Sequence, residues 1–240
     1  MKQRLDQLIV ERGLVETREK AKALILAGKV LVNHQKVDKA GAAVADDAEV
    51  ELLEQLRYAS RGGLKLERAL QEFAIDPTDW VCVDVGASTG GFTDCLLQHG
   101  AAKVHALDVG PSQMLYRLRQ DPRVVLHENC NARYVEPEAL GEKAKLLVCD
   151  VSFISVTLLL PRFPSLLTED SQMVILVKPQ FEVGRGEVGK GGIVRDEKLH
   201  KQACDTVESA LRALGYQTRI IESPILGGKG NREFLLHAWR

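Results

Sequence analysis

Apolar and polar residues in the first part of the chain follow a helical period. In residues 2–12 and 17–27 the apolar positions recur three or four residues apart, which predicts two short amphipathic helices. Gly13 and Gly28 lie where glycine commonly ends a helix, and Thr17 lies where a hydroxyl can cap the second helix. The pattern therefore predicts two helices with defined ends.

Extended segments follow these helices. The run KVLVNHQKV predicts a β-hairpin that turns at Asn33-His34, and the run AEVELL, residues 48–53, predicts a further strand. Helices and strands together predict a small α+β domain over residues 1–54. The charged, glycine-containing stretch that follows, QLRYASRGG, predicts an interdomain linker over residues 55–60.

Beyond residue 60, apolar runs alternate with helical segments. The predicted strands are VCVDV (81–85), KVHALDV (103–109), RVVLHEN (123–129), KLLVCDV (145–151), QMVILVK (172–178), TRIIES (218–223) and EFLLHAW (233–239). Helices are predicted over residues 64–74, 91–99 and 196–214. Apolar strands that alternate with helices are typical of a parallel sheet covered on both faces. Residues 61–240 are therefore predicted to form a Rossmann-like α/β domain with a mostly parallel, seven-stranded sheet.

Composition narrows the class of protein. A content of 45% hydrophobic and 27% charged residues is that of a soluble globular protein. The five cysteines are an odd number without a CxxC pair, so we expect no disulfide framework, no metal and a reducing, cytoplasmic setting. No run reaches the roughly 18 apolar residues of a membrane helix, and the charged N-terminus does not resemble a signal peptide. We expect no membrane association.

The formal net charge of −1 conceals a basic segment. Residues 1–39 contain nine Lys or Arg against five Asp or Glu, a net charge of +4. The cations that can form a basic face on the two small helices are Arg4, Arg12, Arg18, Lys20, Lys22 and Lys29. Such a face suits contacts with RNA phosphates, although an ordinary solvated surface has the same composition.

A glycine-rich loop follows the first strand of the predicted sheet, in the run VCVDVGASTGGFT. Small residues there let a ligand approach the backbone, and the next helix directs its positive end toward the ligand. Ser88 stands where a dinucleotide fingerprint requires glycine, and the form D-x-G-x-x-x-G-G is typical of methyltransferases that use S-adenosylmethionine. The alternative is a tight turn without a ligand. The candidate cofactor residues are Asp84, Gly86, Ser88, Gly90, Gly91, Phe92, Asp108 and Asn129.

Charged residues border three other predicted strands. Asp150 and Lys178 end apolar strands, and Glu233 begins the last one. The link Pro224–Arg232 is too short for a crossover helix, so the last strand should run antiparallel and bring Glu233 to the same sheet edge. Lys65, on the helix entering the domain, is the fourth candidate. Two lysines facing two carboxylates suit methylation of a poor nucleophile such as a ribose 2′-hydroxyl, with Lys178 as the hypothetical base. Each residue alone would be an ordinary helix cap or solvated side chain.

These residues lie in blocks that resemble the TlyA-type family, often labelled hemolysins, which joins an S4 RNA-binding domain to an FtsJ/RrmJ-type methyltransferase domain. The blocks, in chain order, are RLDQLIVERGLVETREKAKALILAGKVLVN, YASRGGLKL, DVGASTGGFTDCLL, ALDVG, CDVSFIS, LVKPQFE, GKGGIVRD and GNREFLLH. The resemblance implies S-adenosylmethionine as cofactor, 2′-O-methylation of ribosomal RNA, and ribosomal RNA or ribosomal subunits as partners. It implies a catalytic tetrad of Lys65, Asp150, Lys178 and Glu233. It also adds Arg57 and Arg61 to Arg4, Arg18, Lys20 and Lys22 as RNA-binding candidates.

Two positions depart from the family pattern. S4 hairpins usually turn at Asn-Gly, so Asn33-His34 predicts a less tight turn. In relatives the segment matching Arg57–Ser60 takes part in coupling RNA engagement to cofactor binding. Ala59 stands where a β-branched residue is common, which weakens that implication.

Two other functions are alternatives. A membrane-lysing protein, as the family label suggests, would need an apolar or amphipathic insertion segment that the sequence lacks. A non-catalytic RNA-binding or ribosome assembly factor would keep the fold without the activity. The glycine-rich loop Gly184–Gly192 either closes over substrate or is disordered. We expect a monomer.

Overall fold

The computed structural model describes residues 2–52 and 57–240, which divide into two compact units, Met1–Arg57 and Tyr58–Arg240. We call them the N-terminal unit and the sheet unit. Residues 55 and 56 of the predicted linker, and residue 53 of the last predicted N-terminal strand, lie outside the described residues. The Tyr58 side chain is buried, and the Ala59 backbone N–H donates to Asp94 Oδ2 at 2.7 Å. Residues 58–60, which we predicted as linker, are therefore packed into the sheet unit.

The described residues of the N-terminal unit, 2–52 and 57, form two helices and five short strands. In chain order these are β1 (Lys2–Arg4), α1 (Leu5–Glu11), α2 (Arg18–Leu26), β2 (Val30–Val32), β3 (Gln35–Lys36), β4 (Ala43–Ala45) and β5 (Val50–Leu52). Strand β1 pairs antiparallel with β4, and β2 lies between β3 and β5, antiparallel to both. Both predicted helices are confirmed. Strands β1 and β4 were not predicted: residues 2–4 were assigned to the first helix, which begins only at Leu5, and Ala43–Ala45 carries no strand pattern long enough to recognise.

The ends of the two helices have the predicted caps. The Lys20 backbone N–H donates to Thr17 Oγ1 at 3.2 Å at the start of α2. Gly13 and Gly28 follow the helices with φ of 68° and 65°, in the left-handed region that favours glycine. The apolar stripes of both helices, with Val30 and Val44 from the strands, form one small core.

The hairpin between β2 and β3 turns in two residues, so the expected loosening is wrong. Asn33 and His34 both have positive φ, 49° and 63°, as the tight two-residue hairpin turn requires. Asn33 Oδ1 accepts a hydrogen bond from the Glu49 backbone N–H at 3.0 Å. The His34 ring lies 2.6 Å from Glu51 Oε1 through Nδ1. These contacts with the strand on the other side of β2 hold His34 in a conformation that glycine would adopt without strain.

A buried carboxylate connects the start of α1 to the start of α2. Asp6 is inaccessible to solvent and accepts hydrogen bonds from Arg4 at 3.0 and 3.1 Å and from Arg18 at 2.9 Å. The hydrogen bond from Arg4 is the largest cause of a lowered pKa, which lies at about 2 although burial acts to raise it. Asp6 is therefore ionised at neutral pH and holds both arginines in place.

The sheet unit has the predicted seven-stranded architecture. Its strands are β6 (Val81–Val85), β7 (Lys103–Leu107), β8 (Val124–His127), β9 (Ala144–Cys149), β10 (Leu167–Val177), β11 (Gln217–Glu222) and β12 (Phe234–Trp239). The spatial order is β11-β12-β10-β9-β6-β7-β8. Strand β12 runs antiparallel to both of its neighbours, and the remaining pairs are parallel. Both the mostly parallel sheet and the antiparallel last strand are confirmed.

Helices cover both faces of this sheet. They are α3 (Gly62–Glu72), α4 (Gly91–Gln98), α5 (Tyr116–Arg119), α6 (Pro179–Glu182) and α7 (Glu197–Ala213). Alternate strand residues enter two separate apolar cores, for example Val83 on one face and Cys82 on the other. No helix in the described ranges is long and apolar enough to cross a bilayer.

The chain reverses its direction of growth between β6 and β9. From β6 it proceeds to β7 and β8 on one side, and it then returns to place β9 on the other side of β6. Ligands of open α/β sheets bind beyond the carboxyl ends of the strands at such a switch point. The fold therefore directs attention to Gly86, which follows β6, and to Asp150, which follows β9.

Replacement of Asp6 by Asn tests the buried carboxylate. We expect the variant to lower the free energy of unfolding of the N-terminal unit by about 1–3 kcal/mol, because charge-assisted hydrogen bonds are lost. Since the pKa of Asp6 is lowered in the folded state, the ionised group stabilises at neutral pH, and this contribution is lost as pH falls from about 4 toward 2. Hydrogen exchange of residues 2–52 in the full chain measures the effect. Asp38→Asn, at an exposed aspartate, is the control, and equal exchange in both variants would contradict the assignment.

Candidate active site

The loop between β6 and α4 is fixed by the close approach of two strands. Gly86 has φ of 84°, and a β-carbon placed on it would lie 2.5 Å from the backbone oxygen of Asp150. The Asp150 backbone N–H in turn donates to the Val85 carbonyl at 3.0 Å. Gly90 also has a positive φ, 94°, and a β-carbon there would overlap Leu118. At both positions only glycine satisfies the backbone conformation and the available space.

Asp84, predicted as a cofactor residue, is buried beneath the loop instead of lining a cavity. Its Oδ2 accepts a hydrogen bond from Thr93 Oγ1 at 2.6 Å, which connects strand β6 to the first turn of α4. Burial raises the pKa of Asp84 to about 7, and the charges of Asp150 and Asp108 act in the same direction. The Asp84 side chain therefore organises the loop from below.

A cavity of about 380 Å³ opens between the ends of β6, β7 and β9. We call it the aspartate cavity after Asp108, whose carboxylate accepts backbone hydrogen bonds from Ser88 at 2.7 Å and Gly110 at 2.7 Å. Its walls are formed by Val85, Gly86, Ser88, Leu107, Asp108, Val109, Gln113, Cys130, Asn131, Ala132, Asp150, Val151, Ser152, Phe153, Ile154 and Leu159. An apolar slot with one oriented carboxylate fits an adenosine group, whose ribose hydroxyls need an acceptor.

The structure distributes the predicted cofactor residues unevenly around this cavity. Gly86, Ser88 and Asp108 line it, whereas Asn129 is exposed and does not. Asn129 adopts φ of 54° and turns the chain, and Asn131 takes the place on the wall that we had expected for it. No sequence signal separates the two asparagines, because the choice depends on where the turn falls after β8.

A second cavity of about 310 Å³ adjoins the first and shares Gly86, Ser88, Asp150 and Ser152 with it. We call it the lysine cavity. Its walls are formed by Ser60, Arg61, Gly62, Lys65, Gly86, Ala87, Ser88, Thr89, Gly91, Phe92, Asp150, Ser152, Lys178, Ile225, Leu226, Gly227 and Gly228. Gly91 and Phe92, predicted as cofactor residues, thus lie on this side of the loop.

Two ion pairs meet at the lysine cavity. Lys178 Nζ lies 2.5 Å from Asp150 Oδ1 and donates to Ser152 Oγ at 2.9 Å. Lys65 Nζ donates to Glu233 Oε2 at 2.5 Å, and Glu233 is only 2% exposed. The structure therefore brings all four predicted charged residues together, each lysine with one carboxylate. Ser152 was missed by sequence reasoning, since a lone serine after a strand carries no signal.

Phe153 is the most exposed large apolar side chain among the described residues of the sheet unit, at 91%. It borders the aspartate cavity, has φ of 68°, and contacts Phe181 with ring centroids 5.4 Å apart. Glu182 secures the same segment by accepting hydrogen bonds from Ser155 Oγ at 2.6 Å and from the Val156 backbone N–H at 2.9 Å. A strained, exposed aromatic residue at a cavity rim is a feature of binding sites. The run SFIS resembled a buried segment, which is why sequence reasoning missed Phe153.

The basic candidates of the N-terminal unit have different environments. Arg4 and Arg18 are held by Asp6 and keep about half of their side chains exposed, and Lys20 lies 3.7 Å from Glu16. Lys22 is partly buried and makes no ion pair with any residue that the structure describes. Arg57 is exposed at the end of the unit. In the sheet unit, Arg61 is exposed and lines the lysine cavity.

The sheet unit has seven strands with an antiparallel last strand, and its glycine loop lies beside a nucleoside-sized cavity. These features define a Rossmann-like methyltransferase unit, which is joined to a small α+β domain. Residues 58–240 match the family of FtsJ-like methyltransferases, and residues 3–50 match the S4 domain. The chain therefore belongs to the FtsJ-like methyltransferase family and carries an S4 domain.

Several relatives match nearly the whole chain. A candidate rRNA methyltransferase of Bacillus subtilis, YqxC, is 50% identical over 98% of this chain and 85% of its own length. The 16S/23S rRNA (cytidine-2′-O)-methyltransferase TlyA of Mycobacterium tuberculosis is 43% identical over 97% of this chain and 88% of its own length. The solved structure of a candidate hemolysin from Streptococcus thermophilus is 46% identical, covers 100% of this chain and 88% of its own, and superimposes with a TM-score of 0.78.

Replacement of Gly86 by Ala tests the close approach of the loop to Asp150. We expect S-adenosylhomocysteine to bind at least about tenfold more weakly, because the added methyl group displaces the wall shared by both cavities. Calorimetry measures the affinity. Gly215→Ala is the matched control, since Gly215 has a similar φ of 87° but open space around it. Unchanged affinity in Gly86→Ala would refute the assignment.

Replacement of Asp84 by Asn tests the buried carboxyl group. Because its pKa is raised to about 7 in the folded state, the folded form keeps a proton that the unfolded form releases near pH 4. Between about pH 4 and pH 7 Asp84 ionises in the unfolded form but not in the folded form. The free energy of unfolding therefore falls by about 1 kcal/mol per pH unit in this range and changes no further above it. Urea unfolding of both proteins between pH 5 and 8 measures this. The difference in free energy of unfolding between Asp84→Asn and wild type should shift in favour of the variant up to about pH 7. If the free energies of both proteins change in parallel with pH, the raised pKa of Asp84 is excluded.

Proposed function

We propose that this chain transfers a methyl group from S-adenosylmethionine to a ribose 2′-hydroxyl of ribosomal RNA. The observation that carries the proposal is the meeting of two lysine–carboxylate pairs in a cavity that adjoins a nucleoside-sized one. The rRNA (cytidine-2′-O)-methyltransferase named above, which shares both domains with this chain, supports the choice of acceptor.

The residues of the aspartate cavity fit S-adenosylmethionine. Asp108 presents a carboxylate to the ribose hydroxyls, while Val109, Ala132 and Leu159 supply apolar surface for the adenine. When bound, this cofactor supplies an electrophilic methyl group. Gly86 and Ser88 lie on the wall common to both cavities, so the loop is where donor and acceptor meet.

Lys178 holds the acceptor hydroxyl beside this wall. Nζ of Lys178 donates a hydrogen bond to Ser152 and forms an ion pair with Asp150, and a further direction on Nζ is available to the acceptor oxygen. In its neutral form, Nζ of Lys178 takes the proton that the hydroxyl releases on methylation, and Asp150 keeps the amine in position. Positioning accounts for much of the rate, because the oxygen must approach the methyl carbon in line with the breaking bond.

Lys65 lines the lysine cavity and pairs with Glu233 behind it. Glu233 is nearly inaccessible, so its charge is compensated by the ammonium group of Lys65 at 2.5 Å. The pair fixes the Lys65 side chain, which lines the cavity and can donate to oxygens of the acceptor nucleotide.

Recognition of the RNA involves both units. The S4 domain match and the net charge of +4 over residues 1–39 support phosphate contacts by Arg4, Arg18, Lys20 and Lys22, with Arg57 and Arg61 adding to them. Phe153 offers a free aromatic face at the cavity rim, which suits stacking of an unpaired base. A target nucleotide that is extruded from its helix fits this arrangement.

Mapping of 2′-O-methyl groups tests the proposal. We expect purified wild-type protein with S-adenosylmethionine to methylate ribose in isolated ribosomal RNA or in ribosomal subunits. Lys178→Ala should reduce the rate by about 10²- to 10⁴-fold, the usual contribution of a general base, and should still bind S-adenosylhomocysteine. Lys201→Ala is the control, because Lys201 also pairs with an aspartate but lies exposed on α7.

Two outcomes would contradict the proposal. Wild type that leaves every ribose unmodified in both RNA and subunits would favour a non-catalytic RNA-binding factor. Lys178→Ala with wild-type activity would leave the reaction standing and exclude Lys178 as the base.

A further inference from the structure

Two glycine-rich segments carry no assigned role, and one of them borders the lysine cavity. The inner loop, residues 224–232, lines the cavity through Ile225, Leu226, Gly227 and Gly228. The outer loop, residues 184–194, does not line it, and its end is closed by a bridge between Gly189 and Ile193. The sequence left open whether the outer loop is ordered and what it does.

Asn231 joins these two loops. Its Oδ1 accepts a hydrogen bond from the Val194 backbone N–H at 3.0 Å, and its Nδ2 donates to the Gly192 carbonyl at 2.9 Å. The same Nδ2 donates to the Gly228 carbonyl of the inner loop at 3.3 Å. The side chain is only 2% exposed, so its polar groups depend on these partners rather than on water.

The inner loop also packs against Glu233, one of the four catalytic candidates. The Gly227 backbone N–H donates to the Asn231 carbonyl at 2.8 Å, which closes the loop into a tight turn. A β-carbon placed on Gly227 would overlap the Glu233 carboxylate. This turn, which the Asn231 backbone closes and which the Asn231 side chain bonds again at the Gly228 carbonyl, is therefore in direct van der Waals contact with the carboxylate that pairs with Lys65.

The outer loop has one more anchor, which does not involve the inner loop. His200 on α7 donates from Nε2 to the Val194 carbonyl at 2.9 Å. Val194 is thus held through its N–H by Asn231 and through its carbonyl by His200. The two anchors allow the effect of fixing the outer loop to be separated from the effect of joining it to the inner loop.

We propose that Asn231 is a positioning residue for methyl transfer, which seats the inner loop on Glu233 and connects it to the outer loop. The inference rests on the proposed function. Loss of the connection frees the wall formed by residues 225–228, and the acceptor ribose then loses its alignment with the Lys65–Glu233 pair. An asparagine suits this role because its amide group offers both kinds of hydrogen-bonding atom. The oxygen accepts from the Val194 N–H, and the nitrogen donates to the carbonyls of Gly192 and Gly228.

The decisive variant is Asn231→Asp, which keeps the size of the side chain and the acceptor for Val194. It replaces the donor to Gly192 and Gly228 by an oxygen that repels both carbonyls. We expect kcat to fall about 10- to 100-fold, as for small misalignments of reacting groups, and the KM for RNA to rise. The affinity for S-adenosylhomocysteine should stay within about twofold of wild type, since other elements line the aspartate cavity.

Two further variants complete the test. Asn231→Ser leaves a hydroxyl and room for water, and should show the same pattern with smaller changes. His200→Leu removes the second anchor of the outer loop together with the contact between the His200 and Phe234 rings, and it keeps every hydrogen bond of Asn231. It should change kcat less than Asn231→Asp. Hydrogen exchange should increase in both loops of Asn231→Asp but only in the outer loop of His200→Leu.

The outcomes separate this inference from the proposed function. Wild type without ribose methylation overturns the proposed function and this inference with it. Active wild type together with unchanged kcat and KM in both Asn231 variants overturns this inference alone. Equal losses of cofactor affinity and kcat would also overturn it, because they indicate a general loss of folded protein.

Discussion

The candidate site depends on the direction of one strand. Because β12 runs antiparallel between β10 and β11, its first residues lie at the edge where the parallel strands end. Glu233 therefore meets Lys65 from α3, and the link before it, residues 224–232, becomes a wall of the lysine cavity. A parallel β12 would place Glu233 at the opposite edge. The site is thus assembled from segments that are more than 160 residues apart in sequence, as the separation of 168 between Lys65 and Glu233 shows.

Three of the four charged groups at the candidate site, Lys65, Lys178 and Glu233, are buried, and burial requires that each has a partner of opposite charge. A buried ion that loses its partner lowers the free energy of unfolding by several kcal/mol. Each lysine therefore holds its carboxylate in place, and each carboxylate holds its lysine. Asp6 in the N-terminal unit follows the same rule with two arginines. Asp84 differs, because it has a hydroxyl partner and no cation, and its pKa rises to about 7. Two arginines thus hold Asp6 as an ion, whereas burial without a cation raises the pKa of Asp84 into the neutral range.

The sheet could be predicted from sequence because its strands are apolar along their whole length and their order follows from the connections. Charged residues at strand ends were likewise predictable, since Asp150, Lys178 and Glu233 interrupt apolar runs. Other features of the structure depend on contacts between residues that are distant in sequence, which the pattern of neighbouring residues does not reveal. Arg4 and Arg18 resemble free surface cations until Asp6 is found between them. Phe153 resembles a core residue, and its exposure follows from a left-handed φ that a sequence gives no reason to expect.

Each lysine at the lysine cavity is paired with a carboxylate, so the two pairs carry no net charge, and Arg61 is a further cation on the cavity wall. Paired charges exert little long-range attraction on a polyanion, so under the proposed function the initial capture of RNA would fall to exposed cations, namely Arg61 and above all those of the first 39 residues. Capture by exposed cations is weakened by salt, whereas buried pairs are screened much less. In a protein of this design, ionic strength acts on the encounter with the substrate and leaves the chemistry of the bound complex almost untouched.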